Sequence, residues 1–318
     1  MDPHSGARHR SRSRTECTDA KRHGRRHRRV APVRKPDAES GGIHSSDTGI
    51  DRDRERHERE LTSDIGVILQ EQSNQLVRFI MIATITALLF AHVLADFLFQ
   101  TNTMVRRKTE PGFFALHIAI VFVLSAMALG GAWETAATIA GLHLVIDAVK
   151  TWGLPTHVRN GLPAFLIDQA AHILSIIAVA SLWPAAVSAG IWAEHAATFL
   201  PHVILVTGAI LAIFAGGYAV GLLMEPYTRQ IDENKGLAQA GRVIGQLERA
   251  LIFLFLIVDE TTAVGFLIAA KSVLRFDTAA QGQKEGEYVI IGTLASFGWA
   301  LAVGFATQSL LEFAVSNP

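Results

Sequence analysis

Long apolar runs recur along this chain from Leu76 to Leu311, and they constrain its fold more than any other feature. Runs of roughly 17 to 25 predominantly apolar residues are long enough to cross a bilayer as helices. Hydrophobic residues make up 50% of the 318 positions, and short loops with glycine, proline or charged residues separate the runs. The pattern therefore predicts an all-α fold, a polytopic transmembrane helix bundle in a lipid bilayer.

The positions of these runs determine the number of predicted spans. The segment 243–276 carries Asp259 and Glu260 near its centre. A single span would bury both carboxylates at mid-membrane, where charge is costly, so we predict a helical hairpin with arms 243–258 and 262–276. The interrupted apolar segment 184–201 is expected to be an interfacial loop or a short helix. The other predicted spans are 78–99, 113–131, 135–150, 163–182, 200–224 and 289–311, which makes about seven to eight in all.

Residues 1–75 differ from the rest of the chain in composition. Residues 1–60 contain 16 Lys and Arg against 11 Asp and Glu, with few apolar side chains. Such a segment cannot bury enough surface to offset the entropy of ordering, so we predict a disordered basic tail. A tail of this kind can attract anionic lipid or nucleic acid. A solvated leader, or a start assigned too early with Met81 as the true start, is the simpler explanation.

Three regions follow from these boundaries. The tail occupies 1–75, a four-helix membrane unit occupies 76–182, and a second membrane unit with the helical hairpin occupies 183–318. The single cysteine, Cys17, lies in the tail, so no internal disulfide and no thiolate metal site is expected. A metal site in the membrane units must therefore use histidine, carboxylate and amide ligands.

Lysine and arginine residues predict the orientation of the bundle. With eight spans, every Lys and Arg after Arg78 falls on one face, which the positive-inside rule assigns to the cytoplasm. Both ends of the membrane domain then point outward, which requires the basic tail to cross the membrane; a cytoplasmic tail changes the span count by one. The basic residues are Arg106, Arg107, Lys108, Lys150, Arg159, Arg229, Lys235, Arg242, Arg249, Lys271, Arg275 and Lys284.

Four neighbouring spans carry histidine or aspartate where lipid penalises them. Ionisable side chains inside a membrane are costly and usually functional. In an up-and-down bundle, the ends of spans one and three share one side of the membrane with the starts of spans two and four. Three His and Asp pairs are spaced i,i+4, as are Asp96 and Gln100, so each pair is expected to lie on one helix face. The predicted cluster consists of His92 and Asp96, His117, His143 and Asp147, and Asp168 and His172.

Histidine and carboxylate side chains projected inward from facing helices are typical of metal sites in bundle cores. Because imidazole is prominent, the ligand set favours zinc, manganese or non-haem iron over calcium or magnesium. Such an ion lowers the pKa of bound water to about 7 and polarises a phosphoryl or carbonyl oxygen, and an uncoordinated aspartate can act as general base. All seven residues are candidate ligands, with Asp96, Asp147 and Asp168 as candidate catalytic residues. Candidates for supporting the ligands or contacting a substrate are Gln100, Lys150, Gln169, Arg242, Glu248 and Arg249.

Three functional interpretations remain open. The preferred one is a metal-dependent hydrolase whose site faces the cytoplasm and acts on a phosphorylated or lipid-linked small substrate. The second is a transporter or proton-coupled channel that uses the cluster as a substrate or proton relay. The outer halves of the first four spans carry almost no ionisable groups, which slightly favours a hydrolase over a transporter. The third is a structural membrane protein with hydrogen-bonded polar helix contacts. No nucleic-acid partner is expected, and the sequence indicates no particular oligomeric state.

Several motifs resemble, in order, an uncharacterised family of bacterial integral membrane proteins, the domain of unknown function 3307. In the first half they are AHVLADFLFQTNTMVRRK, the pair Leu116-His117, GLHLVIDAVK and FLIDQAAH. Three later motifs, GRVIGQLERALI, GFLIAAKSVLRF and EYVIIGTLAS, are similar to the second half of the longer, two-part members. The resemblance implies a location in the bacterial inner membrane, and it implies no activity. Members usually begin close to the first span, so the long tail departs from the family pattern.

Overall fold

The structure, a computed structural model, describes residues 47–228, 240–274 and 283–316. All regular secondary structure in these ranges is helical, which confirms the predicted all-α class. The chain divides into two compact units, 1–59 and 60–318. The helices are α1 (Asp47–Leu94), α2 (Asn102–Arg106), α3 (Pro111–Ala128), α4 (Trp133–Ala148), α5 (Thr156–Arg159), α6 (Leu162–Leu182), α7 (Ala196–Ile210), α8 (Gly216–Thr228), α9 (Ala240–Ile257), α10 (Thr261–Leu274) and α11 (Gln283–Ser316), with π-helical turns at Ala95–Phe99, Val149–Gly153 and Leu211–Ala215.

The polar beginning of α1 corrects the predicted boundary of the tail. Disorder is predicted up to residue 75, but residues 47–75 are helical. Ion pairs between good helix formers stabilise a helix that has no buried face; one of them joins Arg54 and Glu58, four residues apart, at 3.1 Å. The remaining part of the predicted tail, 1–46, lies outside the described residues, as do the basic loop residues Arg229, Lys235 and Arg275.

Five helical segments of the described chain are long and apolar enough to cross a membrane, as expected of a membrane protein. The predicted span at 135–150 and the two hairpin arms are also helical, as α4, α9 and α10. They do not belong to the five because they are short or carry several charges, so the total of seven to eight spans stays a prediction. The five segments are Arg52–Phe99, Pro111–Ala128, Leu162–Leu182, Ala193–Thr228 and Lys284–Ser316.

The predicted hairpin is formed by α9 and α10. At the end of α9, the N–H of Asp259 donates to the Leu256 carbonyl at 3.1 Å, and the N–H of Glu260 donates to the Phe255 carbonyl at 2.7 Å. Asp259 has a φ of 61°, the left-handed conformation that closes helix ends of this type. Both carboxylates are exposed at this turn, which confirms that the chain reverses there.

The helices α1, α3, α4 and α6 carry the predicted cluster at one end and an apolar layer at the other. In this layer, Leu88, Ile139 and Ile176 belong to one buried hydrophobic core. Each of them lies four residues, or one helical turn, from His92, His143 or His172 of the cluster. The polar end of the unit is therefore separated from the opposite end by packed hydrocarbon.

The segment after α6 closes the apolar end. The N–H of Ile191 donates to the Gly130 carbonyl at 3.0 Å, and Trp192 Nε1 donates to the Met127 carbonyl at 2.7 Å. This segment is the predicted interfacial loop, and α7 follows it from Ala196. A helix end and a loop whose backbones approach this closely leave no space for a side chain at their contact.

The second half of the chain builds on α11, which packs along α7, α8 and α9. Ile252, Leu256 and Phe297 form a buried core between α9 and α11. The π turn Leu211–Ala215 contacts the π turn Ala95–Phe99, and α8 contacts α6, so the two halves meet beside the predicted cluster. Both halves lie within the compact unit 60–318, and the predicted division at residue 182 stays a prediction.

We expect Gly190→Ala to destabilise the protein, because a Cβ at this position would lie 2.4 Å from the Leu129 carbonyl oxygen. Relieving such a backbone clash costs roughly 1–3 kcal/mol. Thermal unfolding of the detergent-purified protein measures the loss. Gly141→Ala is the matched control, since nothing lies within 4 Å of its Cβ position; equal unfolding midpoints for the two variants would contradict the close contact.

Candidate metal centre

All seven predicted ligands lie together at one end of the four-helix unit. Six of the side chains are buried, and the Asp96 side chain is 11% exposed. Each helix contributes one face, as the i,i+4 spacing predicts. His92 comes from the end of α1 and Asp96 from the π turn that follows it, His117 from the first half of α3, His143 and Asp147 from the last turns of α4, and Asp168 and His172 from the first half of α6.

His117, His143 and Asp147 form a group whose ligand atoms lie within 4.8 Å of one another, and an Asp96 oxygen adds a fourth donor atom beside them. Five of the six distances among these four atoms lie between 3.0 and 3.5 Å. A tetrahedral zinc ion with ligands at roughly 2.0–2.2 Å holds its ligand atoms roughly 3.3–3.6 Å apart. The four atoms are Asp96 Oδ1, His117 Nε2, His143 Nε2 and Asp147 Oδ2.

Hydrogen bonding by itself does not satisfy these four atoms. His117 Nε2 and His143 Nε2 are 3.0 Å apart, so a hydrogen bond between them uses one proton and makes the other nitrogen an acceptor. No Nε2 proton then remains for the two carboxylates, and Asp96 Oδ1 is buried without a hydrogen-bond partner. A metal ion held by His117, His143 and Asp147 would satisfy these donors, and the group of His92, Asp96 and His143 could also hold one.

The rest of the cluster lies against this set of atoms. His172 Nδ1 contacts the Asp168 carbonyl at 2.9 Å, while His172 Nε2 and Asp168 Oδ1 are buried without hydrogen-bond partners. Asp147, Asp168 and His172 form a further group whose ligand atoms lie within 4.8 Å of one another. The His172 ring is 4.1 Å from the His143 ring and 4.9 Å from the His92 ring, between centroids. These residues therefore line the candidate metal position from the α6 side.

Two lysines neutralise carboxylates of the cluster. Lys108 Nζ lies 2.8 Å from Asp147 Oδ2, and Lys150 Nζ donates to Asp168 Oδ2 at 2.8 Å. A carboxylate oxygen has lone pairs for both a lysine and a metal ion, so neither lysine excludes coordination. The pairs reduce the cost of holding two carboxylates in a buried site.

Three π-helical turns surround the cluster, and the sequence pattern does not reveal them. The turn Ala95–Phe99 carries Asp96, the turn Val149–Gly153 carries Lys150, and the turn Leu211–Ala215 belongs to the second half. A π turn inserts one extra residue and changes the face on which later side chains lie, and it is common at functional sites. As a result, Gln100 does not continue the α1 stripe beside Asp96 but follows the π turn in an extended conformation.

A cavity of about 1040 Å³ opens beside the cluster, between the two halves of the chain. Asp96, Lys150 and Asp168 line it from the first half. Because Asp96 also contacts His117 and His143, the candidate metal position borders this cavity. From the second half the lining includes Tyr218, Arg242, Glu248, Arg249, Lys271 and Ser296.

Part of the chain matches a known protein family. A protein-family model described as "Protein of unknown function (DUF3307)" matches residues 84–200. This stretch is a DUF3307 domain. No curated protein and no solved structure matches the chain. The predicted family is thereby confirmed for 84–200, whereas the resemblance of the second half, the bacterial origin and the inner-membrane location stay predictions.

The DUF3307 domain contains every candidate ligand, and the predicted supporting residues have different roles. Gln169 is central: its amide contacts His92 Nε2 at 3.3 Å and Asp96 Oδ2 at 3.4 Å. Gln100 lines the cavity. Lys150, which the sequence also presents as a membrane anchor, pairs with Asp168 inside the site.

The predicted residues of the second half, Arg242, Glu248 and Arg249, all line the cavity beside the DUF3307 domain. Glu248 forms an interhelical ion pair with Lys271 of α10. Sequence reasoning did not single out Lys108 as a site residue. Its position in a basic loop indicated orientation only, and no spacing rule connects that loop to Asp147.

We expect a double-mutant cycle on Lys150→Met and Asp168→Asn to give a coupling free energy of about 1–3 kcal/mol, because residues in one buried network couple strongly. Denaturant unfolding of the purified protein measures it. Arg107 and Glu110, an exposed pair at 2.7 Å, serve as the control, in which solvent screens the interaction and the coupling should be much smaller. Similar coupling in both cycles would contradict an internal role for the Lys150–Asp168 pair.

Proposed function

We propose that this protein is a metal-dependent membrane hydrolase that acts on a phosphorylated or lipid-linked small substrate at the cytoplasmic face of the bacterial inner membrane. The observation that carries the proposal is the buried group of His and Asp donor atoms at the edge of the large cavity, in which His117 Nε2 and His143 Nε2 lie 3.0 Å apart and each lies within 3.5 Å of Asp96 Oδ1 and Asp147 Oδ2. Asp96 Oδ1 is buried there without a hydrogen-bond partner, and a metal ion would supply one.

The donor set favours zinc, with manganese and iron as alternatives. A ligand set of imidazole nitrogens and carboxylate oxygens suits zinc best. The ion would lower the pKa of a bound water to about 7 and polarise a phosphoryl oxygen. Asp96, His117, His143 and Asp147 would hold it, with Gln169 orienting the Asp96 carboxylate through the contact at 3.4 Å.

Asp168 is the best candidate for the general base. Its Oδ1 is buried without a hydrogen-bond partner, while its Oδ2 accepts from Lys150. In the proposed reaction, a water oxygen forms a bond to phosphorus and the bond from phosphorus to the leaving oxygen breaks. One water proton passes to Asp168 Oδ1 and from there to the leaving oxygen. Lys150 keeps the carboxylate oriented and adds positive charge beside the phosphoryl group.

The apolar layer of the DUF3307 domain supports hydrolysis over transport. A proton or substrate path needs polar groups that continue to the other face of the membrane. One turn beyond the histidines, Leu88, Ile139 and Ile176 pack together instead. The cavity beside the cluster thus supports a hydrolytic reaction at one face of the membrane over transport across it.

We expect the purified wild-type protein to contain about one equivalent of transition metal, mostly zinc. The double variant Asp96→Ala, Asp147→Ala removes two of the four donors and should contain negligible metal by elemental analysis. His202→Ala is the matched control, because His202 is an exposed histidine on α7 whose Nδ1 lies 2.9 Å from the Thr198 carbonyl of the same helix. It should retain the full metal content.

The same preparations test the reaction. Metal-loaded protein should release inorganic phosphate from short-chain phosphatidic acid in detergent micelles, and Asp168→Asn should lower the rate by about 10²–10⁴-fold while retaining its metal. Equal, negligible metal in the wild type and the double variant would eliminate the metal site and leave proton relay or helix packing as the role of the cluster. Bound metal without hydrolysis of phosphate monoesters would eliminate this substrate class.

A further inference from the structure

The second half of the chain contains a buried arginine that the proposed reaction does not use. Arg249 on α9 is 3% exposed and lines the same cavity as Asp96 and Asp168. A guanidinium stays charged under all ordinary conditions, and burying a charge among membrane helices is costly. The groups that surround Arg249 therefore show how its charge is compensated.

Backbone carbonyls and one hydroxyl hold the Arg249 guanidinium. Its Nε donates to the Ala212 carbonyl at 3.1 Å, its Nη2 to the Ile213 carbonyl at 2.9 Å, and its Nη1 to Ser296 Oγ at 3.0 Å. Both carbonyls belong to the π turn Leu211–Ala215, where the altered hydrogen-bond pattern leaves carbonyl groups available to other donors. These contacts use three of the five N–H donors of the guanidinium, so two remain.

No carboxylate of the described residues forms an ion pair with Arg249. Two lysines of the cavity are neutralised, Lys108 by Asp147 and Lys150 by Asp168, whereas the half-buried Arg159 donates to the Thr151 carbonyl. Lys271 is neutralised in the same way by Glu248, the residue next to Arg249. Neutral carbonyls orient the guanidinium but do not cancel its charge. The cavity thus holds a fixed positive charge with donors to spare.

Two glycines make room for this side chain. A Cβ at Gly217 would lie 2.7 Å from Arg249 Nη2, and a Cβ at Gly245 would lie 3.1 Å from Nη1. The guanidinium therefore fits against the backbones of α8 and α9 in one position. A planar donor group held in this way matches the oxygens of a phosphate group, which accept hydrogen bonds in pairs.

We propose that Arg249 is an anion-binding residue that holds a phosphate group of the substrate at a subsite of its own, apart from the metal centre. The anion supplies the missing negative charge and accepts the two remaining N–H donors. This proposal deepens the proposed function, and it rests on that function only where it concerns the reaction. If the protein is a hydrolase, its substrate carries one phosphoryl group at the metal centre and a second phosphate group at Arg249. Phosphate binding at Arg249 does not itself require the metal.

The test is isothermal titration of the full-length, chelator-treated protein with pyrophosphate and, separately, with short-chain phosphatidic acid. Arg249→Gln should weaken binding at least about tenfold, because it removes charged hydrogen bonds. The affinity of Arg249→Lys should lie between those of the wild type and Arg249→Gln. Arg107→Gln is the matched control, since Arg107 pairs with Glu110 on the surface; its affinity should equal that of the wild type. Tighter binding of pyrophosphate identifies a soluble ligand, and tighter binding of the lipid identifies a headgroup.

A second variant separates binding from folding, because Arg249→Gln also removes contacts to the π turn. Gly217→Ala keeps the arginine and its charge but displaces Nη2, so it should weaken phosphate binding while helical content stays unchanged. Wild-type affinity in both Arg249→Gln and Gly217→Ala overturns the subsite, as does a wild-type protein that binds neither probe. Metal content is measured in parallel. If the wild-type protein contains no metal but still binds phosphate, the hydrolase proposal is rejected and the phosphate subsite is retained.

Discussion

Charges placed among apolar helices need counter-ions or hydrogen bonds that compensate for the lost water, and the structure around the cavity depends on this constraint. Lys108 pairs with Asp147 and Lys150 with Asp168. Removing such charges from water is costly unless partners and hydrogen bonds compensate. The lysines must therefore reach back from the loops into the bundle, which ties the loops at this end to the helices that carry the histidines.

The same constraint explains why so much of the polar chemistry lies at one end. Beyond the histidines, the helices pack an apolar layer of Leu88, Ile139 and Ile176 together, and the buried polar side chains there, such as Thr84 and Thr135, are uncharged. The second half of the chain then covers the open side and contributes the remaining cavity wall, including Arg249. The site is therefore polar and largely buried, and it borders a cavity that both halves of the chain line.

Local patterns predicted a large part of this arrangement. Apart from the beginning of α1, apolar runs located the helices within a few residues, and the costly pair Asp259 and Glu260 located the hairpin turn. The i,i+4 spacing placed His143 beside Asp147 because that relation holds within a single regular helix. The same rule did not extend from Asp96 to Gln100, since a π turn lies between them. Polar residues of the tail were predicted to be disordered, but local ion pairs such as Arg54–Glu58 support a helix there.

The sequence by itself determined the helical class, the order of the spans and the common depth of the histidines and aspartates, because these follow from length, hydropathy and the 3.6-residue period. Only the tertiary structure decided which atoms meet: the approach of His117 to His143 at 3.0 Å, the reach of Lys108 to Asp147 and the seating of Arg249 on the carbonyls of Ala212 and Ile213. The reason is that rotation and offset of one helix against another depend on side-chain packing across helices, and no spacing within one segment contains that information.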